Sequence, residues 1–171
     1  MGMVNVTAEV VGEAKLVRAF KGISEKLKDF KDIFKKIVPE FNKMEEQIFG
    51  RQGAVSPNNR WQDLSDVYAQ QKIKLVRAGK YISMDVLIAT GRLKQSLTSK
   101  TSDSIIDIKD TEMLIGTDGN KIKYAITHQK GTGRIPKRKF VFISSEFKNE
   151  IIKIFKEGLN KNIESEINNN L

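Results

Sequence analysis

Ten apolar residues recur at alternating intervals of four and three near the start of this chain: Leu16, Phe20, Ile23, Leu27, Phe30, Phe34, Ile37, Phe41, Met44 and Ile48. Spacing of this kind keeps one face of a helix apolar for about nine turns. Lys, Asp and Glu fill the opposite face. Pro39 stands inside the seam, where it removes one intrahelical hydrogen bond and crowds the preceding turn. The seam keeps its phase across Pro39, which predicts a kink near Pro39 rather than a loop. A break near Asp29 into two packed helices is the alternative. Phenylalanine-rich seams are made for cores or partner helices, so the whole arm, including Leu27 and Phe34, is expected to be buried against a sheet or a neighbouring subunit.

The flanking sequence changes period. Val4, Val6, Ala8 and Val10 alternate with polar residues, as a half-buried strand would, and Gly12 ends them. Residues 50–60, GRQGAVSPNNR, read as a loop. Trp61, Leu64, Val67 or Tyr68, Ile73 and Leu75 follow at near-helical spacing, and Leu93 and Leu97 mark a short helix after Thr90-Gly91. Strands are expected over 105–108, 113–115 and 123–127, with turns near Asp110 and at Asp118-Gly119, and another over KFVFISS. Phe147, Ile151, Ile154 or Phe155, Leu159 and Ile163 define a C-terminal amphipathic helix with Glu146 in its first turn, where the helix dipole favours an acid. The order predicts one α+β domain over residues 1–171 with a largely antiparallel sheet: a strand and helical arm over 1–49, a core over 50–145, and the closing helix over 146–171.

Composition narrows the function classes. The 171 residues are 39% hydrophobic, enough for a core, and include no cysteine, which excludes disulfides and thiolate metal sites. No apolar run approaches the roughly 18 residues of a membrane span, and the N-terminus lacks a signal peptide's pattern, so a soluble intracellular product without membrane contact is expected. The net charge of +9 is concentrated centrally: residues 51–100 carry nine Lys and Arg against three acids, whereas 141–171 carry four against five. A basic middle attracts phosphates or an acidic protein surface over about one Debye length.

Chemistry is sparse. His128 is the single histidine, with neither a second His nor a Cys to complete a metal site, and no GxSxG-like motif offers it a nucleophile. A ring packed at a strand end explains it more simply. Gly131 and Gly133 in GTGR lack a dinucleotide pattern, and GTDGNK lacks P-loop spacing. Lys130, Arg134, Lys137, Arg138 and Lys139 could grip phosphate, although aromatic residues are too few among them for sequence-specific reading. No enzyme, metal or cofactor is expected.

The stretch YAITHQKGTGRIPKRKF, residues 124–140, resembles the signature of the phage virion-morphogenesis family, the tail-completion or neck proteins of long-tailed phages such as Mu. Tyr124, Ala125, His128, Gln129, Gly131, Ile135, Pro136, Arg138 and Phe140 fall on its pattern. Upstream, Trp61, Leu64 and Lys72 match a Trp-x-x-Leu segment ending in Lys, and Leu87, Ile88, Thr90, Gly91, Leu93 and Ser96 match a second block. Lys139, Val141 and the insertion VRAGKYISM depart from the family pattern. The resemblance implies a virion protein, assembled in the host cytoplasm, that completes the tail or joins tail to head. It further implies a homo-oligomeric ring, sixfold to match the tail, stacked on neighbouring tail or connector proteins, with DNA in the channel a nonspecific contact. Nonspecific DNA binding through the basic middle is the alternative function. Tyr124, His128, Gln129, Gly131, Arg134, Pro136, Arg138 and Phe140 are the expected docking residues, and the segment 130–139 is expected to be a surface loop that is mobile before assembly.

Overall fold

The seam folds as two helices. The computed structural model describes residues 13–55 and 59–170, and the strand expected over Val4–Val10 lies outside them. Helix α1, Glu13–Lys26, and helix α2, Lys31–Gly50, are separated by a turn at Leu27–Phe30. Asp29 explains the interruption, because its Oδ1 accepts a hydrogen bond from the Lys31 N–H at 2.9 Å and satisfies a free donor at the start of α2. The Phe30 N–H donates to the Asp110 carbonyl at 2.6 Å, which ties the turn to the rest of the domain. Pro39 lies within α2 without ending it. Pro39 and Lys35, whose carbonyl it leaves without a helical donor, are both exposed, so water can take up that carbonyl.

Helix α3, Asp66–Arg77, starts from Ser65, whose side chain accepts from the Tyr68 N–H. Helix α4, Arg92–Thr98, follows Gly91. Strands β1, Ser104–Ile108, and β2, Met113–Thr117, form an antiparallel hairpin in the register Ser104↔Thr117 to Ile108↔Met113, with Ile108, Met113 and Ile115 packed on the core. Helix α5, Tyr124–Lys130, precedes an irregular stretch, and helix α6, Ser145–Asn170, closes the chain. The α+β class and the C-terminal helix are as expected, and the described sheet is the two-stranded hairpin.

Two expected strands are not formed. Residues 124–130 are helical rather than extended, so His128 sits on a helix and not at a strand end. Residues 139–144 are outside regular structure. Their backbone is paired all the same, by a side chain: Gln129 Oε1 accepts from the N–H groups of Phe140 and Val141 at 3.0 and 3.1 Å, and its Nε2 donates to the Val141 carbonyl at 2.6 Å. The apolar run was expected to pair with a strand; the backbone of residues 140 and 141 pairs with a side-chain amide instead.

A line of aromatic contacts along α2 organises the core. Phe30 and Phe34 meet Phe155 edge-on with centroids 5.8 Å away in each case, Phe41 meets Phe147 at 6.1 Å, and Phe49 meets Trp61 at 5.3 Å and Phe140 at 6.3 Å. The first three pairings hold α2 and the turn before it to α6; the last two close the other end of the core. Helix α6 comes so near α2 that a methyl group on Gly158 would stand 2.6 Å from Ile33 Cγ1. Burial of the seam is therefore divided. Phe34 through Ile48 are buried, whereas Leu16, Phe20 and Leu27 are exposed in the single chain, contrary to the expectation for Leu27.

A clasp and a cationic cleft

Most residues of the family-like stretch tie its backbone to the fold. Arg138 is only 6% exposed. Its Nε donates to the Gln62 carbonyl at 3.0 Å and its Nη2 to the Asp63 carbonyl at 3.2 Å, while its own N–H reaches the His128 carbonyl at 2.8 Å. The Lys139 carbonyl accepts from the Trp61 indole at 2.9 Å and from Asn59 Nδ2 at 3.1 Å. Phe140, 2% exposed, completes the Phe49–Trp61 cluster. Together with the Gln129 bonds this forms a clasp between α5, residues 138–141 and residues 59–63. Gly53 makes room for it: at φ +79° its added Cβ would lie 2.5 Å from Trp61 Cδ1, so neither the backbone nor the space admits a side chain.

Around the clasp opens a cleft of about 980 Å³. One wall is residues 60–65 with Tyr68 and Lys72 of α3, another is Tyr81 with Leu87–Ala89, and the third is Tyr124, His128, residues 134–136 and Arg138. Leu87 holds φ +62°, an unfavourable conformation for a branched side chain. Arg60, Lys72, Arg134 and Arg138 line the cleft against a single acid, Asp63. Lys72 is 2% exposed and donates to the Asp85 carbonyl. Burial holds the Lys72 ammonium below its usual pKa, with Arg138 adding to the effect against the pull of Asp85. Burial likewise depresses His128, again assisted by Arg138, so the imidazole is neutral near pH 7. Its Nδ1 is buried with no hydrogen-bond partner.

The expected docking residues therefore divide. Arg138, Phe140 and Gln129 face inward as parts of the clasp, and Gly131, at φ +73°, ends α5 against Lys137. Tyr124, His128, Arg134 and Pro136 line the cleft, with Tyr124 and Arg134 exposed. The tip at residues 132–135 is a tight turn in which Thr132 and Ile135 exchange backbone hydrogen bonds, so the loop expected to be free is anchored at its base. Lys72, Tyr68 and Tyr81 were not anticipated as site residues. The available signal was the helical spacing of α3, which sets Tyr68, Ala69, Leu75 and Val76 three and four residues from Lys72 and so places it on an apolar face. Among the described residues no group of three or more His, Asp or Glu side chains could hold a metal, and no helix is long and apolar enough to cross a membrane.

A sequence profile of the phage virion morphogenesis family matches residues 11–160. No curated protein and no solved structure matches the chain.

Proposed function

The chain belongs to the phage virion morphogenesis family, and from that premise we propose that it is a structural protein of the head–tail neck, completing the tail or joining tail to head as a homo-oligomeric ring. Membership of that family carries a part in phage particle assembly; the neck, the ring and its sixfold symmetry are our reading. The supporting observation is that the chain leaves two separate surfaces for partners while Gln129, Arg138 and Phe140 of its signature stretch are spent on internal contacts. One is the exposed apolar flank of α1, with Leu16, Val17 and Phe20. The other is the rim of the cleft, with Tyr124 and Ile135. A closed ring needs two different, mutually complementary faces on each subunit, which a symmetric dimer does not. The roles assigned here require no cofactor and no catalysis.

Deletion of the gene tests the reading. Capsids should fill with DNA, and heads and tails should accumulate unjoined or with defective tails; purified protein added to the lysate should restore infectious particles. Empty heads would point to DNA packaging, and normal joined virions would remove the protein from the neck. A second reading is nonspecific DNA binding, favoured by the exposed cations Lys130, Arg134, Lys137 and Lys139. It requires affinity for any duplex that falls steeply and log-linearly with salt.

A further inference from the structure

We propose that the cleft between α3, residues 81–89 and α5 is a receptor for an acidic peptide segment of a partner protein, one of whose carboxylates enters beside Lys72 and Arg138. The inference builds on the reading of the chain as an assembly protein and names the chemistry of the partner that the reading leaves open.

Three observations carry it. First, the cleft carries an excess of positive charge, four cations lining it against Asp63, with Asp85 adding a partial offset at Lys72. Lys72 and Arg138, both nearly fully buried, donate to backbone carbonyls and not to carboxylates. Buried cations are ordinarily paired with an anion, because a carbonyl dipole compensates a lost hydration shell less completely than a charge does. Burial and, after it, the charge of Arg138 disfavour protonation of both Lys72 and His128, so positive charge in this wall lacks a full counter-charge. Second, the buried Nδ1 of His128 has no partner, leaving one more polar group in this wall to be satisfied. Third, the rim is apolar and aromatic: Tyr68, Tyr124 and Ile135 are exposed at the mouth. An extended peptide with an acidic residue among apolar ones would fit both features, in the manner of acidic motifs held by arginine clusters.

Depth favours a peptide over nucleic acid. A duplex presents its phosphates on a wide, rigid cylinder, which needs cations standing out in rows. Here two of the four cations are buried at 2% and 6% exposure, within reach of a side chain or a chain terminus but not of a duplex backbone. A carboxylate reaching them would form charge-assisted bonds in a sheltered site, the setting in which such bonds are strongest.

The test uses the purified full chain and a fluorescent peptide of glutamates interspersed with leucines, compared with the same peptide carrying glutamine for glutamate. Fluorescence anisotropy should show binding of the acidic peptide that weakens with salt, and little binding of the glutamine version. Arg134→Gln and Arg60→Gln alter exposed side chains and leave the clasp intact, and each should weaken binding roughly tenfold. Lys72→Met should abolish it, with circular dichroism confirming that the variant folds; should it unfold, the two rim variants decide. Binding that ignores Arg60 and Arg134, equal binding of both peptides, or no binding at all would overturn the proposal. So would tighter binding of a DNA duplex lost on the same substitutions, which would assign the cleft to nucleic acid. The neck reading is judged separately by the deletion phenotype, which does not depend on any of these affinities.

Discussion

Glu45 is fully buried in α2, on the helical row of Phe41 and Phe49, and neither of its carboxyl oxygens has a hydrogen-bond partner. Burial pushes its pKa up to about 9 from an ordinary 4.5, so the folded chain holds this acid protonated at neutral pH. The folded state thus keeps a proton that the unfolded chain releases, and stability is greatest below pH 4.5 and declines as pH rises towards 9. At pH 7 the cost is about 3 kcal/mol. Glu45→Met should therefore stabilise the protein by about 2–3 kcal/mol at pH 7 and by little at pH 4.5. Urea titrations of both proteins across this range check it, with other titrating groups cancelling in the difference. A gain independent of pH would mean that packing, and not ionisation, is what the glutamate spoils. Gln129 is the opposite case, a half-buried amide whose three bonds to residues 140 and 141 are all made. Gln129→Leu leaves two donors and one acceptor without their partners and should cost about 2–4 kcal/mol, visible as a lowered urea midpoint. A loss within about half a kcal/mol would show that water replaces the amide.

The helices were legible because each writes its period into many residues. The phase of the seam located α1 and α2, and Thr90-Gly91 marked where α4 begins. At Pro39 the helix runs on, as the unbroken phase of the seam indicates, and Lys35, whose carbonyl loses its helical donor there, is exposed. The short runs at 123–127 and 139–144 carry too few residues to distinguish a helical period from an extended one. The second run forms no strand, and its backbone at residues 140 and 141 bonds to a glutamine side chain that spacing does not reveal. The signature stretch was legible as a unit, but which of its side chains turn inward was not. Arg138 is buried because carbonyls at positions 62 and 63 come to meet it from 76 and 75 residues away. At the scale of elements the packing of α6 on α2 is open to a signed test. Gly158→Ala should destabilise by about 1–3 kcal/mol, because the new methyl drives into Ile33 and outweighs the gain in helix propensity. Gly50→Ala, at the end of α2 with nothing within 4 Å, should be neutral or stabilise by up to about 1 kcal/mol. Thermal melts of the two variants should move in opposite directions or, at the least, by clearly different amounts; equal shifts would mean that α6 yields freely to the methyl group.

As a whole the molecule is a buried core, built around α2, with a helical pair extending from it. Helix α1 rests on α6, where Lys26 bonds Ser165 at 2.6 Å and Glu166 at 2.9 Å and Ala19 is buried. Its other flank leaves Leu16, Val17 and Phe20 in solvent, Phe20 at 63% exposure. The same heptad spacing that runs into the core thus continues outside it, and a seam maintained where the single chain does not use it is suited to a second helix. For a ring subunit that helix belongs to the neighbouring copy. The purified chain should accordingly self-associate as concentration rises, and Phe20→Glu should shift it to monomer in sedimentation experiments. Because Phe20 is exposed in the single chain, the same substitution should change the stability of the monomer by no more than about half a kcal/mol. Phe34→Ala, in the buried half of the same seam, should by contrast cost about 3–5 kcal/mol. The Phe20→Glu protein should also fail to restore infectivity to a deletion lysate while still binding an acidic peptide in its cleft. Unchanged association would place the subunit contact elsewhere, and a large loss of stability would mean that α1 packs inside the chain more closely than its exposure indicates.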